Sequence, residues 1–265
     1  MDRYDKEGIL TQLRTSRMGR NLEFWEETGS TNTRALELAA QGAPEGTLVA
    51  ADVQTSGRGR RGRDWNSPGG SGIWMSLLLW PQISPEKIPQ ITLTAALAVR
   101  DALSVQVPGC GIKWPNDIIY GGRKACGILT QMQAEERGLA VVVGIGVNVN
   151  TRAFPEDLRG IAVSLYQLTG KEFSRSAIAA DILYYFEKYY EKFQRAGSFE
   201  PLAATYNDSL VNIGRAVRVA LPDESFEGRA EGIDGDGRLL VSGEDGSVRA
   251  VLSGEVSVRG EGGYI

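Results

Sequence analysis

Arginine and glycine alternate through Gly57-Arg58-Gly59-Arg60-Arg61-Gly62-Arg63. Glycine lets the backbone approach a ligand closely. Arginine supplies planar, permanently charged donors that match phosphate and carboxylate. The segment suits a bound anion; it equally suits a solvated basic loop or an RNA-binding Gly/Arg tract. No Gly-Lys-Ser/Thr closes it, so it is not a Walker loop. A second group, Lys113-Trp114-Pro115-Asn116-Asp117, joins a cation, an aromatic plate and two short polar side chains. It could fix a ribose or a magnesium ion, or be an ordinary turn, since Pro, Asn and Asp dominate turns. Lys124 stands just before the apolar Gly127-Ile128-Leu129. A lysine beside a buried strand pairs with an anion or reaches water. Gly144-Ile145-Gly146-Val147-Asn148 opens space beside a strand. Asn148 could bond a nucleotide, or its own backbone. Gly29-Ser30-Thr31-Asn32 could hold an anion or polar ring at a helix N-terminus, or simply cap that helix.

The rest of the composition narrows the chemistry. The chain of 265 residues is 42% hydrophobic and 23% charged, an ordinary globular balance. It contains no histidine, which removes every His-based triad, His general base and His-ligated metal site. Cys110 and Cys126 are too few for a disulfide framework or a metal cluster, so no metal-ligating residue is assigned. No apolar run spans a bilayer and residues 1–20 lack a signal-peptide core, which points to a cytoplasmic protein. The net charge of −4 sits in residues 211–265, with six arginines against ten acids. Such a tail is a poor nucleic-acid binder, because phosphate contacts need clustered cations.

These residues need elements to position them. Residues 1–22 read as a short polar lead with one helical turn. Ser30 or Thr31 caps a helix through Gln41. Residues 47–54 and 72–80 read as strands flanking the Arg/Gly segment. Ser84-Pro85 opens a helix that runs out by Pro108. Strand-like pieces follow at 111–114, 118–120, 124–133 and 139–150, the last with its glycines in the second half. Ser174 caps a long helix with Ile178, Ile182, Phe186, Tyr189 and Phe193 on one side. After Asn212, short strands at 216–220, 226–233, 238–242, 247–252 and 255–259 alternate with turns, which suggests a small β-barrel.

The order and spacing of the five motifs closely resemble the biotin protein ligases, over roughly Glu23 to Arg259. The resemblance implies an α/β fold: a mixed-sheet, class II synthetase-like catalytic domain at 23–210, behind the lead at 1–22, and an SH3-like β-barrel at 211–265. It implies ATP and biotin as substrates, with Mg²⁺ held by the phosphates and by Asp117. Biotinyl-5′-AMP would form first, and a lysine of a biotin carboxyl carrier protein would then take the biotinyl group. Family biotin contacts fall on Ser30, Thr31, Asn32, Gln54, Arg58, Gly59, Arg60 and Lys124. Adenylate contacts fall on the loop arginines, Trp65, Lys113, Asn116, Asp117 and Asn148. Charge neutralisation would rest on Lys124, Arg58, Arg60, Arg63 and Lys113, and help with the lysine proton on Asp117. Many bacterial members begin with a winged helix-turn-helix. The residues before Glu23 cannot build one, so the expectation is a short form without specific DNA binding or a membrane anchor, with a homodimer left open. The alternatives are a lipoate-type ligase or acyltransferase, an RNA-binding protein using the Arg/Gly loop, and a ligand-sensing repressor.

Overall fold

The computed structural model describes residues 4–221, 224–252 and 255–258, the last as backbone. Helix α1 (Lys6–Gln12) is capped by Asp5, whose carboxylate accepts from Gly8 N at 2.7 Å. Next come β1 (Leu22–Thr28), α2 (Thr31–Ala40), β2 (Leu48–Gln54), β3 (Gly72–Leu79) and α3 (Pro89–Gln106). Four strands follow: β4 (Gly111–Lys113), β5 (Asp117–Tyr120), β6 (Arg123–Glu135) and β7 (Gly138–Asn148). Helices α4 (Leu165–Thr169), α5 (Arg175–Ala196) and α6 (Glu200–Asn207) lead to five short strands. These are β8 (Ala216–Ala220), β9 (Ser225–Ile233), β10 (Leu239–Ser242), β11 (Val248–Val251) and β12 (Glu255–Val258).

The first seven strands form one sheet in the order β1-β2-β3-β7-β6-β5-β4. β1 and β2 run parallel and the other pairs antiparallel, so the sheet is mixed, as expected of the α/β class. The last five form an antiparallel sheet, β11-β10-β9-β8-β12. Its described strands stand in open order rather than as the closed ring of the expected barrel. Arg259 and the Pro222-Asp223 turn lie outside the described residues. No described helix is long and apolar enough to cross a membrane, and both cysteines are free.

Strand alternation explains how the large sheet serves two purposes. Val141, Val143, Ile145 and Val147 of β7 point to one face, into the main core with α3, α5 and α6. Ala140 and Val142 point to the other, under Ala35 and Ala39 of α2. Gly144, Gly146 and Asn148 continue that second face beyond the start of α2, where the sheet is left open for a ligand. Both helices start where their serines signal it, but only one serine caps with its side chain: Ser30 occupies the N-cap of α2 without a capping bond, whereas the Ser174 hydroxyl accepts from Ala177 N at 3.3 Å in α5.

Two expectations need correction. The helix expected from Ser84-Pro85 is a 3₁₀ turn (Pro85–Lys87); the α-helix proper starts at Pro89, a second proline suited to a first turn. Strand β1 and helices α4 and α6 carried no expectation at all. Residues 1–22 are more than a polar lead: Tyr4, Ile9, Leu13 and Met18 join the main core.

Glu187 of α5 fastens that segment, accepting from the backbone N–H groups of Ser16, Arg17 and Met18 at 2.7, 2.7 and 3.1 Å. Burial alone would raise the Glu187 pKa; the amide bonds outweigh it and hold the carboxyl below its usual range. A depressed carboxylate pKa contributes stability above the unfolded value of about 4.3, lost as pH falls through the folded value. Glu187→Gln should therefore flatten the acid limb of the stability profile. In urea melts at pH 7 and near pH 3, the unaltered chain should lose more stability than the variant; equal losses would show that the anchor contributes nothing.

Candidate active site

All of the residues singled out for binding or catalysis line one cavity of about 410 Å³ between α2, the sheet and the Arg/Gly loop. One end is a chain of buried polar groups. Thr31, just inside α2, donates to Gln54 Oε1 through its backbone N at 2.9 Å and its hydroxyl at 3.0 Å. Gln54 Nε2 donates to Ser67 Oγ at 2.9 Å. Ser76 Oγ lies 2.7 Å from Thr31 Oγ1 and 2.6 Å from Asn32 Oδ1, so its single proton serves both. Asn32 Nδ2 donates to Gln131 Oε1 at 2.8 Å and to Leu129 O at 3.2 Å. The Ser30 side chain makes no bond to its own helix and faces the cavity. This end matches a small, neutral polar head group with an apolar body, since Met75, Ile145 and Leu129 complete the wall.

Ser67, Ser76 and Gln131 were missed by sequence reasoning. Ser76 had a signal: it is the one polar residue between Gly72 and Trp80, in a strand buried along its whole length. Gln131 had none.

Cations gather at the other end. Lys124 Nζ pairs with Asp117 Oδ1 at 2.7 Å and stands 5.2 Å from the Trp65 ring centre. Its backbone is pinned on both sides, Lys124 N to Ile161 O at 2.7 Å and Val163 N to Lys124 O at 2.9 Å. Asn148 Nδ2 reaches Lys124 O at 3.4 Å, a bond to the neighbouring strand rather than to its own backbone. Asn116 donates to Ile128 O at 2.9 Å and accepts from Arg60 Nη1 at 2.9 Å. Lys113, Arg58 and Arg63 line the same end. Asp117 is engaged by Lys124, and no group of three or more Asp, Glu or Cys among the described residues could hold a metal ion. Any Mg²⁺ here would therefore rest chiefly on the ligand's own phosphates. Below the pair, burial pushes the Cys126 thiol well above its usual range, which keeps it unreactive.

The Arg/Gly segment folds down over the cavity as a narrow loop. Bridges Gln54–Ser67 and Arg58–Asp64 zip its two arms, and Gly59 N bonds Arg63 O at 2.7 Å. At its tip Arg61 takes a left-handed conformation (φ 56°), uncommon for a residue with a Cβ. Trp65 closes the loop by lying on the sheet. A Cβ at Gly146 would stand 2.3 Å from its Nε1, and one at Gly127 2.9 Å from its Cζ3. The glycines on β6 and β7 thus make room for an indole. The indole N–H is buried, with no acceptor among the described residues.

Gly144 makes room in the same way for Asn32, whose Oδ1 would be 2.1 Å from an added Cβ. Asn32 is held by Ser76, Leu129 and Gln131 and cannot swing aside cheaply. Gly144→Ala should cost about 1–3 kcal/mol, as overpacking does. A loss under ~0.5 kcal/mol in urea melts, within the range of neutral surface changes, would mean that Asn32 moves freely.

Comparisons with known proteins agree with this geometry. Residues 25–148 match the biotin/lipoate A/B protein ligase family, and residues 213–259 match the biotin protein ligase C-terminal domain. The chain is 43% identical to the bifunctional ligase/repressor BirA of Bacillus subtilis, over 93% of this chain and 76% of that one. It is 35% identical to the biotin–[acetyl-CoA-carboxylase] ligase of Mycobacterium tuberculosis, over 95% of this chain and 94% of that one. Its fold matches the Aquifex aeolicus biotin protein ligase in complex with biotin and ATP, with TM-score 0.79 and 32% identity, over 91% of this chain and 99% of that one. With a relative 43% identical over 93% of the chain and the fold shared with a solved biotin protein ligase, the chain belongs to the biotin protein ligases.

Proposed function

We propose that the protein joins biotin to ATP and passes the biotinyl group to a lysine of a biotin carboxyl carrier domain. The observation that carries this is the single cavity with two ends, one polar and neutral, one cationic. Biotin's ring system fits the Thr31–Gln54–Asn32 end, with its valeryl chain toward Lys124. ATP fits the cationic end, its nucleoside toward Trp65, Asn116 and Asn148.

Two anions must meet for the first step, so its main demand is neutralisation and alignment. A biotin carboxylate oxygen attacks the α-phosphorus, the bond to the bridging oxygen breaks, and pyrophosphate leaves. Lys124, Arg58, Arg60, Arg63 and Lys113 spread the charge. Mg²⁺ enters as the counter-ion of ATP, a part of the substrate. In the second step a neutral lysine amine attacks the anhydride carbonyl, AMP leaves and the amine proton passes to solvent. Asp117, engaged by Lys124 at 2.7 Å, serves on this reading to hold that lysine rather than to take the proton.

We read residues 23–210 as the catalytic domain and 211–265 as an SH3-like module; the five short antiparallel strands support the second part of that reading. A cytoplasmic setting is part of this reading, since ATP and a carboxylase carrier are available there. No nucleic-acid ligand is proposed, since the net charge is −4 and the arginine cluster faces the cavity. The test is ATP–pyrophosphate exchange with biotin or lipoate. Exchange that requires biotin is expected. Exchange that requires lipoate instead would transfer the proposal to the lipoate-type reading.

A further inference from the structure

The segment 113–117 carries three of the cationic-end residues; strand pairing and Ile128 N hold Lys113, Asn116 and Asp117, whereas Trp114 and Pro115 are fixed from far down the chain. Trp114 is 2% exposed. Its backbone N–H donates to Asn212 Oδ1 at 2.9 Å, and its indole Nε1 donates to Gly237 O at 3.1 Å. The carbonyl of Pro115 accepts from Tyr206 Oη at 3.1 Å. Tyr206 and Asn212 are fully buried.

The partners are themselves rigid. Gly237 closes a turn in which Asp234 Oδ1 accepts from Asp236 N at 3.0 Å and Arg238 N at 2.9 Å. Its φ of +78° suits only glycine, and a Cβ there would stand 2.2 Å from Leu93. Gln90 of α3 donates to Asp236 O at 3.1 Å. Asn207 of α6 exchanges two bonds with Ile233, at 3.0 and 2.7 Å. The turn is thus tied to both α3 and α6, and it holds the Trp114 ring from behind. The polar end of the cavity is held by other side chains, Thr31, Asn32, Gln54, Ser67, Ser76 and Gln131, and meets the 113–117 segment through β6, where Leu129 O accepts from Asn32 and Ile128 O from Asn116.

We infer that Tyr206, Asn212 and the Gly237 turn are positioning residues that set the nucleotide end of the site through Trp114 and Pro115, and leave the biotin end alone. The inference rests on the biotin–ATP reading above and deepens it. It makes the last module part of the machinery for adenylation, apart from any role in docking the carrier.

The experiment uses the full chain, with Tyr206→Phe and Asn212→Ala. Tyr206→Phe removes one hydroxyl from a buried ring and keeps its packing. Two quantities are read: KM for ATP in pyrophosphate exchange, and Kd for biotin alone by calorimetry. KM for ATP should rise about tenfold in Asn212→Ala and less in Tyr206→Phe, since small displacements of positioned groups weaken alignment. The biotin Kd should stay within twofold. Amide hydrogen exchange should quicken at residues 113–117 and not at 31–32. A merely structural role would lower kcat through a smaller folded fraction and leave KM unchanged. Such a result, or equal weakening for biotin and ATP, would overturn the inference. Absence of exchange by the unaltered chain would overturn the biotin–ATP reading, and the inference with it.

Discussion

Lys124→Ala should lower the rate of biotinyl-AMP formation about 10²–10³-fold, the ~2.7–4 kcal/mol that a preorganised charge contributes. The ammonium is fixed before any ligand arrives. Asp117 holds it at 2.7 Å, the Trp65 face lies 5.2 Å away, and two backbone bonds pin the residue to the segment around Ile161. No reorganisation is then needed when charge builds on the α-phosphate. Removing the amine also leaves the Asp117 carboxylate, 6% exposed, without its counter-ion beside two incoming anions. The second effect can be separated from the first. If Lys124 only neutralises Asp117, adding Asp117→Asn to Lys124→Ala should restore exchange. If Lys124 acts on the substrates, the double variant should stay as slow as the single one. Single-turnover formation of labelled adenylate decides it, and near-normal rates in Lys124→Ala would sink the assignment.

Arg60→Gly should weaken retention of the intermediate more than its formation. Arg60 links the loop to the sheet through Asn116 at 2.9 Å, and Asn116 is in turn bonded to Ile128. Losing a hydrogen bond from a charged donor costs about 1.5–3 kcal/mol. A fourth glycine beside Gly57, Gly59 and Gly62 also frees the open loop by about 0.5–1 kcal/mol. Together these predict adenylate dissociation faster by about 10²-fold, since 1.4 kcal/mol is a factor of ten. A mixed anhydride that escapes acylates whatever amine it meets, so bulk albumin should become labelled. The competing idea is that Arg60 only docks the carrier. It predicts unchanged release, slower transfer and clean albumin. Rapid filtration of the labelled adenylate distinguishes them.

The site was legible where chemistry is local. Motifs such as Lys113–Asp117 and Gly57–Arg63 declare donors and charges within a few residues, and all their charged and amide side chains reach one cavity. The caps at Ser30 and Ser174 are equally local. Strand β1 was not legible, because an edge strand with the burial of Leu22–Thr28, mostly half-exposed, shows no clean alternation. The start of α3 was misplaced because Ser84-Pro85 and Pro89 both carry helix-start chemistry, and only packing decides between them. The turn at Asp234–Gly237 was legible from its composition, but the roles of Gln131 and Gly237 at the site were not. Their partners are 99 and 123 residues away, and nothing in either neighbourhood marks them.

That last separation bears on how the enzyme is made. A ribosome adds about 5–20 residues per second, so Gly237 follows Trp114 by about 6–25 s. The polar end has its last wall residues sooner, since Gly144 and Ile145 stand on β7, the strand between β3 and β6. The nucleotide end still lacks its backing, and further residues must be added before Gly237 clears the exit tunnel. The residues that build the polar end are thus made before the turn that backs the nucleotide end. On the proposed function, formation of the reactive intermediate then waits for the turn that backs Trp114.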